Sequence, residues 1–185
     1  MPEIRYAPGQ VVMTLEEYLR HSTEEWFLTG KTARSMQAMM VSKEISFHND
    51  YEVTDYTVGD DGTTVVLKGQ FGEMLASKLS SVISTYTRPD GSELSKEDFA
   101  VKDIYIEIVT RSEPDTYWAM HIPPEISVTV PTAWGDVLHS NLPNAPHGSG
   151  DYLVCRRGKG GGPDLSDVWI LNGVVFPVYY FSRGT

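Results

Sequence analysis

The chain has 185 residues, of which 41% are hydrophobic and 11% are aromatic. This much buryable side-chain surface is enough for a folded core and excludes an intrinsically disordered chain. The formal net charge at pH 7 is -10. Such a charge repels the phosphate backbone of nucleic acids, so direct nucleic-acid binding is disfavoured.

The N-terminus and the single cysteine predict a cytoplasmic protein. The first six residues lack the basic start and the apolar stretch of a secretory signal, and no apolar run is long enough to cross a bilayer. Cys155 has no second cysteine with which to form an internal disulfide, as is usual in reducing compartments. We therefore expect no contact with a membrane.

The first forty residues predict helices. Thr14 and Glu17 have the spacing of a capping box, which predicts a helix that begins at Thr14. The same spacing recurs at Ser22 and Glu25, and Gly30 is a natural stop. A third helix is expected after Thr32, because four apolar residues there share one helical face: Ala33, Met36, Met39 and Met40.

The middle of the chain predicts both strands and a further helix. Gly-Asp-Asp-Gly at 59–62 predicts a hairpin between strands at 52–58 and 63–67. Apolar residues at helical spacing predict a helix over 71–83. Three isoleucines at period two predict a central strand whose isoleucines face the core: Ile104, Ile106 and Ile108.

The C-terminal part predicts short antiparallel strands. They are expected at 116–122, 126–130, 152–157 and 168–171, and Asn-Gly at 172–173 predicts a hairpin after the last of them. Helices that precede a hairpin-rich, mostly antiparallel sheet indicate the α+β class.

We predict one compact domain over residues 1–185. The Pro-, Asn- and Gly-rich loop at 141–150 is the candidate sub-module boundary. It would divide an α+β body, 1–125, from a small β module, 126–185.

Three short motifs mark the C-terminal third. They are VTVPTAWGDV at 128–137, GDYLV at 150–154, and a closing Phe176 with Tyr180. This pattern resembles a short module of small bacterial and prophage-encoded proteins of unassigned function. In that module a T-x-x-G strand precedes G-D-Y/W-I/L-V and a closing F-x-x-x-Y, whereas this chain adds a basic, glycine-rich insertion at 156–163. The resemblance implies a small β-sheet unit whose closing aromatic residues cover the sheet edge, and a phage or mobile-element origin. It implies no activity.

Histidines and aspartates in a stretch without basic residues are the candidates for chemistry. No Lys or Arg lies between Arg111 and Arg156. Imidazoles and carboxylates bind divalent metals and act as general acids and bases. The candidate catalytic residues are therefore His121, His139, His147 and Asp151, with Asp136 as a further metal ligand. Their spacing lacks the regularity of a zinc motif, so we expect neither a metal nor a cofactor.

A basic, glycine-rich segment follows at 156–162. A phosphate-binding P-loop needs Ser or Thr after its lysine, but Lys159 is followed by Gly160. The segment is therefore predicted to be a solvated hairpin loop, although Arg156, Arg157 and Lys159 are candidates for binding an anion.

Four further side chains are expected in the core rather than in a site. Cys155 lies within an apolar strand, where a buried small side chain is the usual case, although a cysteine beside a histidine can act as a nucleophile. Trp118, Trp134 and Trp169 are expected to fill the core.

The absence of a catalytic signature favours a non-enzymatic binding or regulatory accessory protein. Such a protein would act through a protein partner, and the resemblance implies that a phage or mobile element encodes it. Two alternatives stay open because sites assemble in space rather than along the chain. One is a small enzyme with a dispersed His/Asp site, metal-dependent or not, and the other is an acidic mimic of nucleic acid. The partner and the oligomeric state do not follow from the sequence.

Overall fold

The computed structural model describes residues 4–181, which form fourteen strands, three short helices and one 3-10 turn. The strands are β1 (Val11–Thr14), β2 (Phe27–Lys31), β3 (Ser35–Met39), β4 (Ile45–Asn49), β5 (Thr54–Val58), β6 (Thr64–Lys68), β7 (Met74–Lys78), β8 (Tyr86–Thr87), β9 (Ile106–Thr110), β10 (Glu113–His121), β11 (Ile126–Pro131), β12 (Val137–His139), β13 (Tyr152–Arg157) and β14 (Pro163–Leu171). The helices are α1 (Leu15–His21), α2 (Leu79–Thr85) and α3 (Phe176–Tyr179), and the 3-10 turn covers Lys96–Phe99. No helix in the described part of the chain has the length and apolar character needed to cross a membrane.

This architecture corrects the predicted α+β class, because the protein is mostly β. Only the first of the three predicted N-terminal helices forms, as α1. The Thr14 hydroxyl accepts a hydrogen bond from the Glu17 N–H, and the Glu17 carboxylate accepts one from the Thr14 N–H, which completes the capping box. Residues expected in the second and third helices form strands β2 and β3 instead.

The methionines of β3 explain this error. Met36 and Met40 are four residues apart, a spacing that fits both a helix face and a strand face of period two. Ala38 between them is fully buried, while Ser35 and Gln37 are exposed. The buried residues therefore alternate along the chain, and the segment is a strand that pairs on both sides, with β6 and β9.

The chain divides into a continuous unit, Thr32–Ser112, and a discontinuous unit that combines Met1–Lys31 with Glu113–Thr185. The loop at 141–150 lies inside the discontinuous unit.

The discontinuous unit contains two sheets, ordered β1-β11-β12 and β14-β13-β10-β2. All strand pairs in these sheets are antiparallel except β1 with β11. Both sheets and α1 contribute to one hydrophobic core, whose buried residues are Tyr18, Met120, Ile122, Val128, Val130, Leu153, Cys155 and Val168. Burial of this apolar surface is the main source of stability for the unit.

The closing aromatic residues cover β2, the edge strand of the four-stranded sheet. Tyr180 forms a β-bridge with Lys31, and the Phe181 N–H donates to the Gly30 carbonyl at 3.0 Å. Phe176 stacks on Tyr152 with ring centroids 4.0 Å apart. The residues after β14 therefore add backbone and ring contacts along β2 and β13.

The continuous unit contains an antiparallel sheet, ordered β7-β6-β3-β9-β8, and the separate hairpin β4–β5. The predicted pairing of 52–58 with 63–67 is wrong, because β5 pairs with β4. The Asn49 side chain accepts hydrogen bonds from the Tyr51 and Glu52 N–H groups, both at 2.9 Å, and so starts a turn into β5. The turn that follows Asn49, and not the Gly-Asp-Asp-Gly turn at 59–62, therefore determines the strand with which β5 pairs.

Two other predicted elements also differ. The helix expected over 71–83 begins only at Leu79, because β7 occupies Met74–Lys78. Asn172 and Gly173 do not form a hairpin. The Asn172 side chain accepts hydrogen bonds from the Val174 and Val175 N–H groups and leads the chain into α3.

The isoleucine strand is shorter than predicted. Strand β9 begins at Ile106 and lies between β3 and β8, so Ile108 is fully buried but Ile104 is 59% exposed. The prediction that all three isoleucines face the core is therefore wrong for Ile104. Asp103 has a positive φ of 66° immediately before it, which marks a turn in the chain rather than extended strand.

We expect Ile108→Ala to lower the free energy of unfolding by about 2–4 kcal/mol, because it leaves a cavity in the sheet core. Ile104→Ala serves as the matched control and should change it by less than about 0.5 kcal/mol. Urea unfolding of both variants measures the difference. Equal losses of unfolding free energy in the two variants would contradict the burial of Ile108 and the exposure of Ile104.

Candidate functional site

His121, His147 and Asp151 lie around one loop. His121, on β10, pairs with Tyr152 of β13, and its Nε2 lies 2.8 Å from the Ser149 carbonyl oxygen. Asp151 follows the loop at 141–150 and lies near both histidines, whose positive charges act to lower its pKa.

His139 lies elsewhere, on β12 of the three-stranded sheet. Its ring is edge-on to Tyr6, with centroids 6.4 Å apart, and its Nδ1 is 3.4 Å from the Thr129 hydroxyl. Partial burial lowers the pKa of His139. The candidate histidines thus fall on two different sheets, and no group of three His, Cys, Asp or Glu side chains in residues 4–181 is arranged to hold a metal ion.

Both carboxylate oxygens of Asp151 accept hydrogen bonds from backbone N–H groups. Its Oδ2 accepts a hydrogen bond from the Asn141 N–H at 2.7 Å, and its Oδ1 accepts one from the Gly173 N–H at 2.8 Å. The side chain is buried, and burial raises its pKa although both N–H donors act in the opposite direction. A carboxylate that is held in this way joins segments of backbone, so we interpret Asp151 as a structural residue.

Asn141 forms the other half of the same arrangement. Its side-chain oxygen accepts a hydrogen bond from the Asp151 N–H at 2.7 Å, and its amide nitrogen donates to three backbone carbonyls, those of Ile122, Pro123 and Ile126. We call this pair the Asn141–Asp151 bridge. It holds both ends of the 141–150 loop against the turn between β10 and β11, a role that the sequence analysis did not assign to Asn141.

His121 lies between two acceptors. Its Nδ1 is 3.3 Å from a Glu24 carboxylate oxygen, while its Nε2 faces the Ser149 carbonyl. Its ring is also edge-on to Tyr152, with centroids 5.3 Å apart. These contacts hold the ring in one orientation and leave neither ring nitrogen directed at an open cleft.

The glycine-rich loop at 158–162 joins β13 to β14, as its sequence predicts. The Gly158 N–H donates to the Gly162 carbonyl at 2.7 Å, which closes the turn. The Arg157 guanidinium donates to the backbone oxygens of Gly161 and Asp115, each at 3.3 Å, and so fastens the loop to β10. Arg157 therefore has a structural role, while Lys159 is exposed at the loop.

Arg156 points to the other face of β13, because successive residues of a strand alternate. Its guanidinium lies 5.7 Å from the centroid of the Tyr117 ring, the residue with which it pairs across the strands. The three predicted anion-binding residues therefore do not converge on one point.

The remaining candidates divide between core and surface. Cys155 is fully buried in the core, and burial raises the pKa of its thiol to about 11, so the thiol stays protonated at neutral pH. Trp118 packs against the same core and donates its indole N–H to the Gly161 carbonyl. Trp169 is half-buried, edge-on to Tyr117. Trp134 contradicts its prediction, since it is 58% exposed.

Trp134 lies at the tip of the hairpin that joins β11 to β12, beside an exposed face of the three-stranded sheet. Strand register places Val12, Thr129, Pro131, Val137 and His139 on this face, and Met13, Val128 and Val130 on the core face. We call the first five residues with Trp134 the outer face. Val12 is 46% exposed and Val137 is 53% exposed, whereas Ser127, which pairs with Val12 and has the same orientation, is fully buried.

The outer face has a negative rim and no positive charge of its own. Strands β1, β11 and β12 and the hairpin at 132–136 contain no Lys or Arg. Asp136 lies in the hairpin, where it accepts the indole N–H of Trp134 at 2.9 Å, and Glu125 immediately precedes β11. The hairpin itself is fastened by Thr132, whose N–H and hydroxyl both donate to the Asp136 carbonyl.

Two shallow grooves occur in the continuous unit. One is lined by polar side chains, with Ser35 donating to the Glu107 carboxylate at 2.7 Å, and the other lies beside Phe99 and Lys96. Neither contains a residue that the sequence analysis selected.

Comparison of the chain with protein-family models, with curated proteins and with solved structures found no match. The resemblance of the C-terminal third to the bacterial and prophage module stays a prediction.

Proposed function

We propose that this protein is a non-enzymatic binding protein that attaches to a protein partner through the outer face. The observation that carries the proposal is the exposure of three apolar side chains: Val12 and Val137, which the strand register places on one face of the three-stranded sheet, and Trp134 in the hairpin next to Val137. Exposed apolar side chains are common one at a time, but several on one face are typical of interaction sites.

The hairpin presents Trp134 in a defined position. Its two strands pair at Thr129–His139, Val130–Leu138 and Pro131–Val137, and the Trp134 indole is held by Asp136. A tryptophan that is ordered before binding loses little conformational entropy when a partner covers it. Tryptophan is also among the residues that most often dominate binding energy at protein interfaces.

The charge around this face indicates the chemistry of the partner. Apolar side chains with a rim of Asp136 and Glu125 complement an apolar surface that is surrounded by Lys and Arg. A second copy of this chain would bring together two rims of the same sign, and the formal charge of -10 on each copy opposes that association. The proposed occupant is therefore a different protein, with a basic rim.

Trp134→Ala should weaken binding to such a partner by about thirtyfold or more, as expected for an interface tryptophan of about 2 kcal/mol. Partners are first captured from cell extract on the wild-type protein, on Trp134→Ala and Val137→Ser, and on the control Leu165→Ser. Leu165 is 52% exposed on β14, outside the outer face. The affinity and the association rate of the purified partner are then measured by surface plasmon resonance at two salt concentrations.

The proposal requires that one purified partner binds the wild-type protein and Leu165→Ser alike, binds both outer-face variants weakly, and associates more slowly at high salt. Equal binding by all four proteins would overturn it. Light scattering of the isolated protein provides a separate test, because self-association that Val137→Ser abolishes would assign the face to a second copy.

A further inference from the structure

Two positively charged side chains flank one tyrosine ring on the four-stranded sheet. Lys31 Nζ lies 6.0 Å from the centroid of the Tyr117 ring, and the Arg156 guanidinium carbon lies 5.7 Å from it. The sheet order explains this arrangement, because β10 carries Tyr117 between β2, with Lys31, and β13, with Arg156. The Tyr117 ring is almost fully buried, whereas Arg156 is exposed and Lys31 is half-buried.

The positive charge at this place is poorly balanced. Within residues 4–181, neither Lys31 nor Arg156 forms an ion pair with a carboxylate. Burial and the nearby Arg156 charge lower the pKa of Lys31, and Glu113, which pairs with Lys31 across the strands, opposes this only in part. The charge of Lys31 is partly removed from water and is opposed by the charge of Arg156, so an anion bound near Tyr117 would stabilise both side chains.

The surrounding aromatic residues hold the arrangement in place. Tyr180 and Trp169 are both edge-on to Tyr117, with centroids 5.8 Å and 6.1 Å away. Lys31 is itself bridged to Tyr180 through the backbone. A binding site on paired strands with packed neighbours is ordered before the ligand arrives, which reduces the cost of binding.

We propose that Lys31, Tyr117 and Arg156 form a binding site for a phosphate or sulfate group. The guanidinium of Arg156 has donors in a planar fork that suits such an oxyanion, and Lys31 adds a second positive charge. The Tyr117 hydroxyl interacts with the Arg156 guanidinium through its oxygen, and its proton can serve as a third donor. Burial raises its pKa, so it keeps its proton. This site is separate from the outer face, so it can exist whether or not the outer face binds a protein.

The test uses sulfate and inorganic phosphate as probes for the free anion. Methyl phosphate, in which one oxygen is esterified, probes for a phosphomonoester that belongs to a larger molecule. Sodium chloride keeps the ionic strength constant, because sulfate at high concentration stabilises proteins without binding to a site. Thermal melting and the NMR signal of the Arg156 Nε–H report binding in the wild-type protein and in four variants: Lys31→Gln, Arg156→Gln, Tyr117→Phe and the control Lys159→Gln.

Saturable binding that Lys31→Gln and Arg156→Gln each weaken by about tenfold or more, with Lys159→Gln unchanged, is the expected result. Tyr117→Phe, which keeps the ring, should weaken it less. Sulfate binding should also fall as the pH rises through the lowered pKa of Lys31, below its ordinary value of 10.5. Binding of sulfate and phosphate but not of methyl phosphate assigns the site to a free anion. No saturable binding, or an equal response of all three charge variants, overturns the proposal.

Discussion

Gly150→Ala is expected to unfold the discontinuous unit, with a loss of more than about 4 kcal/mol in the free energy of unfolding. A Cβ atom on Gly150 would lie 2.0 Å from the Ile122 carbonyl oxygen and 2.9 Å from His121 Nε2. The first of these atoms belongs to the backbone and cannot move aside. The φ angle of +127° at Gly150 adds strain, because side chains other than glycine rarely adopt it.

Gly160→Ala is the matched control for this prediction. A Cβ atom on Gly160 has no neighbour within 4 Å. Alanine there should change stability by no more than about 0.5 kcal/mol, and reduced freedom of the unfolded chain offsets part of any loss. Thermal and urea unfolding followed by circular dichroism compare the two. A Gly150→Ala variant as stable as Gly160→Ala would show that the β10 end and the 141–150 loop do not approach as closely as described.

Asn141→Ala is expected to cost about 3–5 kcal/mol, because it removes the amide of the Asn141–Asp151 bridge. The two N–H bonds of the amide, which are shared among three carbonyls, are lost and the Asp151 N–H loses its acceptor, all in a place with little access to water. Each buried group that is left without a partner costs about 1–3 kcal/mol. Asn141 also has a positive φ of 56°, which asparagine tolerates better than alanine.

Asn141→Gly separates the two causes, since glycine adopts the positive φ without strain but has no amide. The Asn141→Gly variant should show most of the loss in unfolding free energy that Asn141→Ala shows. Asn144→Ala, an exposed residue of the same loop, is the control and should change stability by less than about 0.5 kcal/mol. Urea unfolding at several pH values provides the measurement.

A double-mutant cycle with Asp151→Ala tests whether the two side chains act as one unit. The cycle should give a coupling free energy of about 1–3 kcal/mol, because each residue bonds to the backbone of the other. Strictly additive losses would contradict the bridge. They would mean that Asn141 and Asp151 stabilise the loop independently.

Some features of this protein follow from the sequence alone because they depend on neighbours along the chain. The capping box at Thr14 and Glu17 predicts α1, since both of its hydrogen bonds lie within one turn. The strand at 126–130 is recognised by its alternating residues and the strand at 152–157 by its apolar run, and both form. The missing hydroxyl after Lys159 indicates a hairpin loop, which the structure contains.

Other features depend on residues that are distant in sequence, so no local pattern could predict them. The methionine segment forms a strand rather than a helix because β6 and β9 pair with β3 on both sides. Asn141 shows no special sequence signal, and its role depends on three carbonyls from another turn and on Asp151.

The two proposed sites also depend on residues that are distant in sequence. A tryptophan in an apolar strand–turn–strand segment predicts a buried side chain, and only the folded structure shows that Trp134 is exposed in the hairpin and Val137 on the outer face. Lys31 and Arg156 are 125 positions apart in sequence and both lie near the Tyr117 ring because β2 and β13 flank β10. Local hydrogen bonding determines turns and caps from the sequence, but the pairing of distant strands determines which side chains meet, and that is decided by the burial of the whole core.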